Sequence, residues 1–123
     1  MAEVAGAVQS TAISGQGFRL VKWENVNAGD TILPCVCGEY SDKTVMWSKG
    51  SAFGGSMGME GSLDPDPTTA RYATLADTQG NPLSGFTGDR IETVLEHVTL
   101  IRPTAAVGVA GVDVWLLLAS GRG

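Results

Sequence analysis

Apolar and polar positions alternate with a period of two through several short stretches of the chain, the pattern of β-strands with one buried face. It is clearest in Gly111–Ala119. Val112, Val114, Leu116 and Leu118 share one face there, and Asp113, Trp115 and Leu117 share the other. Trp115 and Leu117, on the second face, are themselves large and apolar. An exposed apolar edge recruits other chains. This strand is therefore expected either in the middle of its sheet or under a partner.

The same alternation predicts strands at Phe18–Trp23, Thr31–Val36, Lys43–Ser48, Ser56–Gly61, Arg71–Leu75 and Val98–Arg102, with a further short one at Leu83–Phe86. Pro34 cannot donate to a ladder, so its strand is an edge or carries a bulge. Gly58 inside a strand marks a bulge or the close approach of another backbone. Pro103 is expected to end its strand, with Thr104–Ala110 forming a hairpin loop of small residues. Asn25–Asp30, Gly38–Asp42 and Asp77–Pro82 are turn signals, and Pro65 and Pro67 hold Ser62–Ala70 extended. Asp89–Leu95 fits two patterns. Ile91, Val94, Leu95 and Val98 have helical spacing, and Asp89 with Glu92 would form a capping box. As a strand, Ile91, Thr93 and Leu95 share a face, and the β-rich surroundings favour that reading. About eight short strands with frequent turns point to an all-β, single-domain β-sandwich or jelly roll.

Met1–Gln16 has no strong period, and Val4, Val8 and Ile13 are its only sizeable anchors. It is expected to be an extended N-terminal arm ahead of a sandwich domain over residues 17–123. Such a segment stays poorly ordered unless something ties it down. Docking on a neighbouring subunit would do so; the other reading is a frayed terminus.

Composition agrees with a turn-rich β protein. Gly, at 17 of 123 residues, is about twice its usual share, and only 17% of residues are charged. The net charge of −5, with eight scattered Lys and Arg, argues against a nucleic-acid partner. No apolar run is long enough to cross a membrane, and no secretory signal is visible at the N-terminus. Cys35 and Cys37 are too close in sequence for an unstrained bridge and are expected to be reduced thiols, as in a protein folded in a cytosol.

Candidate chemistry is sparse. His97 is the single histidine. A Ser-His-Asp site would have to use it, yet the chain has no Gly-x-Ser-x-Gly turn, and an isolated turn histidine is the commoner case. Asp64 and Asp66 could give oxygens to calcium, but six or more are needed, and solvated loop carboxylates are the simpler reading. Asp77 and Asp89 flank glycine-rich turns and are expected to cap backbone groups. Glu92 and Glu96 stand four apart, more simply a charged face than a glycosidase pair. No catalytic, cofactor-binding or metal-binding residue is assigned. Trp23, Trp47 and Trp115 could stack on sugars, but aromatic residues more often fill cores and interface centres. The residues expected at a partner interface are Val4, Val8, Ile13, Trp23, Trp47, Phe53, Trp115 and Leu117.

Five sequence segments carry a resemblance: Gly29-Asp30-Thr31 before a strand; Asp42-Lys43-Thr44-Val45; Met59-Glu60-Gly61-Ser62-x-Asp64; Tyr72-x-x-Leu75-x-Asp77-x-Gln79-Gly80-Asn81; and Ile101-Arg102-Pro103. Through them Trp23–Leu118, about four-fifths of the chain, resembles the small virion proteins of tailed bacteriophages that decorate or cement the capsid. The resemblance implies a β-sandwich with no enzymatic activity and no cofactor. It further implies a homo-oligomer, dimer or trimer, bound to the major capsid protein on the outer face of the virion and made in the host cytoplasm. It carries over no catalytic residue and suggests neither a nucleic-acid nor a membrane partner. Related sandwiches occur in tail and baseplate proteins, so a tail or receptor-binding module and a small carbohydrate-binding sandwich are the alternatives.

Overall fold

A computed structural model describes residues 2–9 and 18–119. Every regular element among them is a strand. The larger sheet has five strands in the order β2 (Ala7–Gln9), β3 (Phe18–Val26), β11 (Val112–Ala119), β6 (Asp42–Ser48) and β9 (Arg90–Thr93). The smaller has four, in the order β5 (Cys35–Val36), β10 (Leu100–Ala105), β7 (Met57–Ser62) and β8 (Ala73–Thr74). A parallel pair, β1 (Glu3–Val4) with β4 (Thr31–Ile32), stands apart from both. The fold is an all-β sandwich, as the alternation predicts.

The core lies between the two sheets. Val21, Trp23, Val45, Trp47, Val114, Leu116 and Leu118 point inward from the larger sheet and meet Met57, Met59 and Ile101 from the smaller. The two core tryptophans also bond across the sandwich. Trp47 Nε1 donates to the Gly58 carbonyl at 3.2 Å, and Trp23 Nε1 donates to the Leu33 carbonyl at 2.9 Å. Burying an indole without a partner for its N–H would forfeit much of the gain from its area.

The final strand is central, paired with β3 on one side and β6 on the other. Of the two placements open to it, the middle of the sheet is the one it takes. Residues 90–93 are a strand rather than a helix. The helical spacing would have put Ile91, Val94, Leu95 and Val98 on one face, but Val94 and Val98 are buried while Ile91 and Leu95 are exposed. The free edge of β6 decides the matter by offering a ladder, which the Val94 N–H extends to the Lys43 carbonyl.

Several boundaries differ from expectation. The expected strand through Pro34 divides there into β4 and β5, and β5 becomes a sheet edge. Pro103 does not end its strand: β10 runs on to Ala105. Pro103 sits opposite Met59, whose N–H turns away to the Leu83 carbonyl, so this is a non-hydrogen-bonded pair. The proline nitrogen therefore points to the other side, where β5 has already stopped, and no ladder bond is lost. The first strand continues past Trp23 to Val26 through a bulge, with Asn25 at φ 55° and its N–H held by Asp113 Oδ1 at 2.9 Å. Arg71–Leu75 contracts to Ala73–Thr74, and Leu83–Phe86 makes one isolated bridge, Phe86 to Met57, rather than a strand. Gly58 is a close approach, since a Cβ there would collide with the Leu83 carbonyl.

Residues 3–9 are laid against their own chain rather than extended as a free arm. Val4 pairs with Ile32 and Val8 with Val21, so the segment spans from the β4 region to the edge of β3. Gly6 lies where it crosses over, and a Cβ at that point would sit 2.6 Å from Val21 Cγ1. The remainder of the expected arm, residues 10–16 with Ile13, lies outside the described residues.

Candidate functional site: the outward face of the larger sheet

Antiparallel register places side chains of directly opposed residues on the same face. Applied across the five strands, it builds three rows pointing away from the core. Trp115 stands between Lys22 and Met46, and Met46 is opposite Ile91. Leu117 stands between Leu20 and Thr44, and Ala119 between Phe18 and Asp42. The outward face of the sheet thus carries a continuous apolar band of Phe18, Leu20, Met46, Ile91, Trp115 and Leu117. Ile91 is 63% exposed and Phe18 52%, and the other four are half-buried. Charges close the band at its ends, with Glu24, Asp113 and Asp89 at one and Asp42 at the other.

Lys22 is the cation within this face. Its Nζ lies 4.3 Å from the centre of the Trp115 ring, 3.4 Å from Glu24 Oε2 and 3.6 Å from Asp113 Oδ2. The ammonium covers one side of the indole and is itself balanced by two carboxylates. A cation over an indole near the surface is worth about 0.5–1 kcal/mol, which favours this placement of the ring. A sugar would have to displace this lysine to stack there. The outward face of the smaller sheet is different in kind: Arg102 is ion-paired with Glu60 and lies 3.7 Å above the Tyr72 ring.

Of the eight residues expected at an interface, Trp115 and Leu117 lie on this face. Trp23, Trp47 and Phe53 are fully buried and belong to the core. This corrects their assignment to an interface and removes two of the three tryptophans from any sugar platform. Their large area is better spent between two sheets than on one. Val4 is half-buried within the N-terminal segment, opposite Ile32 and packed against the core, and Val8 is 62% exposed at the β2 edge on the core-facing side, opposite Val21. Leu20, Met46, Ile91 and Phe18 were missed. The signal was present in the alternation of Leu20 with Val21 and of Met46 with Val45, but which strands are neighbours is not written in any one of them.

The titratable groups are occupied separately. His97 is exposed, and its Nε2 lies 2.8 Å from the Gly38 carbonyl. Asp64 and Asp66 accept from their own turn, from the Asp66 N–H and the Thr68 N–H respectively, both at 2.9 Å. Asp77 Oδ1 accepts the N–H groups of Gln79 and Asn81, and Asp89 Oδ1 those of Lys49 and Gly50, so both cap turns as expected. These bonds hold both carboxyls below the usual carboxylate range, with the Asn81 N–H the main cause for Asp77 and the Lys49 N–H for Asp89. Glu92 is paired with Arg90 at 2.6 Å, while Glu96 accepts the Ala76 N–H at 2.9 Å, so the two glutamates do not face a shared cleft.

Lys43 is fully buried, with Nζ 3.2 Å from the carbonyls of Tyr40 and Glu96. Burial pushes its pKa down. Cys37 beside it is also buried, and burial raises its thiol to about 12. Cys35 is raised by the same cause. Both are free thiols, and burial favours the protonated form of each. Beside β1 and β3 an open hollow of about 530 Å³ is lined in part by Val4, Lys22, Glu24 and Asn25.

Several solved structures are similar to this architecture, two of them as follows. One is YomS, a protein derived from the SPBc2 prophage. It aligns over 90% of this chain and 100% of its own, at 12% sequence identity and a TM-score of 0.58. The chain has the fold of YomS. The other is NMB1881 from Neisseria meningitidis, aligned over 94% of this chain and 82% of its own at 11% identity, with a TM-score of 0.40, too loose an overlay to add to the first. No protein-family model matches the chain, and no curated protein matches it by sequence.

Proposed function

We propose that the chain is a structural virion protein that decorates the outer surface of a tailed-phage capsid and stabilises the shell by bridging capsomers. The observation that carries this reading is the apolar band on the outward face of the larger sheet. With its core closed between two sheets, the described part of the sandwich still presents Trp115, Leu117, Ile91 and Phe18 together, which is the mark of an interaction surface. The prophage origin of YomS supports the phage setting, as does the resemblance of the turn and strand-edge segments to decoration proteins. In this role the protein acts without catalysis and without a cofactor. Its partners are the major capsid protein and further copies of itself, and neither nucleic acid nor membrane takes part. It is made in the host cytoplasm and resides on the virion exterior.

The energetics suit such a role. Each Leu- or Met-sized side chain contributes about 1.5–3 kcal/mol when fully buried. A few such anchors, repeated around a symmetric shell, add up through multivalency.

The test is negative-stain imaging of phage particles labelled with an antibody to this chain. Uniform label over the head is the expected outcome. Label confined to the tail would move the protein to the tail or receptor-binding class. No label on any particle would end the virion reading.

A further inference from the structure

We infer that the outward face of the larger sheet docks onto a protein surface whose apolar centre is ringed by lysine and arginine, and that a second copy of this chain is not its occupant. The inference rests on the virion reading above, and under that reading the partner surface belongs to the major capsid protein.

The argument comes from the charge around the apolar band. Glu24, Asp113 and Asp89 stand at one end of it and Asp42 at the other, and Glu24, Asp42 and Asp89 are exposed. Lys22 is the cation among these outward positions, and Glu24 and Asp113 already balance it. The face is therefore apolar in the middle and acidic at both ends. Stacking it on a copy of itself, in either direction, sets carboxylate against carboxylate. Like-charge juxtaposition of this kind rejects a partner, while opposite charge around an apolar centre steers and fixes one.

Edge-to-edge pairing through β9 has only a short ladder to offer. That strand has four residues, and beyond it Val94 bridges to Asp77 while the Leu95 N–H bonds to the Ala76 carbonyl. The face is the larger surface on that side.

Size points to a repeated contact. Five strands about 4.8 Å apart, and the seven residues of β6 rising about 3.4 Å each, make a face about 24 Å on a side. Docking would cover on the order of 500 Å² per partner, about 1,000 Å² in total, at the lower limit for a specific interface. One contact of that size is weak, and many on one shell are not.

The experiment uses phage shells produced without this chain and measures rebinding of the full-length protein by co-sedimentation at low and high salt. Two variants probe the face: Ile91→Asp in the apolar band, and Glu24→Lys with Asp42→Lys at the acidic ends. All three positions are exposed, and a thermal melt of each free variant establishes that it folds. The wild type is expected to bind and to weaken at least tenfold on raising the salt. The charge-reversed variant should lose at least tenfold at low salt, and Ile91→Asp should lose binding. If the wild type binds and folded variants bind equally well, this face is not the dock and the virion reading stands. If the wild type does not bind, both fall together. If the free protein forms a stable dimer that Ile91→Asp dissolves, the occupant is a second copy and the inference is overturned.

Discussion

Cys37 illustrates how little of a residue's chemistry is carried by its type. The sequence shows a Cys-x-Cys that could equally be reactive, bridged or inert. The fold places Cys37 fully inside, its Sγ donating to the Val98 carbonyl at 3.3 Å. Its pKa rises from 9.0 to about 12 because the thiolate would lose its hydration. The direction of the resulting pH dependence follows from proton counts. Above pH 9.0 the unfolded chain releases this proton and the folded chain keeps it, so stability falls as pH rises through that window. Lys43 acts in the opposite sense. Its pKa is lowered by burial, so the unfolded chain binds more protons up to 10.5, and this contribution makes stability rise with pH. With the larger shift on Cys37, urea unfolding should show stability declining between pH 8.5 and about 10.5. In Cys37→Ala that decline should flatten or reverse. An unchanged slope in the variant would mean that Cys37 is not the group responsible.

At the scale of elements, the N-terminal segment behaves as a strap. Its bonds are mostly backbone: the Thr31 N–H donates to the Ala2 carbonyl and the Leu33 N–H to the Val4 carbonyl, both at 2.8 Å. The side chains are small, and the narrowest point is Gly6 against Val21 and Trp23. Gly6→Val should lift the strap, because a Cβ there falls 2.6 Å from Val21 Cγ1 and 3.0 Å from the Trp23 ring, both side chains packed in the core. Overpacking of this kind costs about 1–3 kcal/mol. The sharper readout is hydrogen exchange. Thr31 and Leu33 amides should lose protection while Val114 and Leu116 in the centre of the sheet keep theirs. Retained protection at Thr31 and Leu33 would show that the strap accommodates the side chain. No periodicity forecasts this strap, since a chain segment held by main-chain bonds needs no apolar stripe. The same limit explains Pro103, whose effect depended on which side of β10 had a neighbour. It also explains 90–93, where the free edge of β6 chose strand over helix.

At the scale of the whole molecule, pairings join distant parts of the chain. Phe18 lies opposite Ala119 and Cys35 opposite Ile101. Both sheets must therefore close long loops before their contacts form, and the entropy of closure comes first. Refolding from urea should take milliseconds to seconds, as for other sandwiches rich in non-local pairs. Complete refolding within tens of microseconds, followed by tryptophan fluorescence in a rapid mixer, would contradict that topology-based expectation.

By itself the sequence determined the class of fold and much of the core. Alternation at a period of two marks which residues of a strand point together, so the inward set Val112, Val114, Leu116 and Leu118 was legible. So was the Asp77 turn cap, because a short acidic side chain beside a glycine-rich turn finds backbone N–H groups locally; Asp89 also caps backbone N–H groups, but those of Lys49 and Gly50, which only the fold brings beside it. The site was legible only at Trp115 and Leu117. Three of the other expected interface residues, Trp23, Trp47 and Phe53, went into the core. Only the tertiary structure decided which strands became neighbours, and with that which outward residues joined into one surface. Alternation tells the two faces of a strand apart but does not say what lies against either. That depends on register between strands up to about a hundred residues apart, fixed by packing across the whole sandwich.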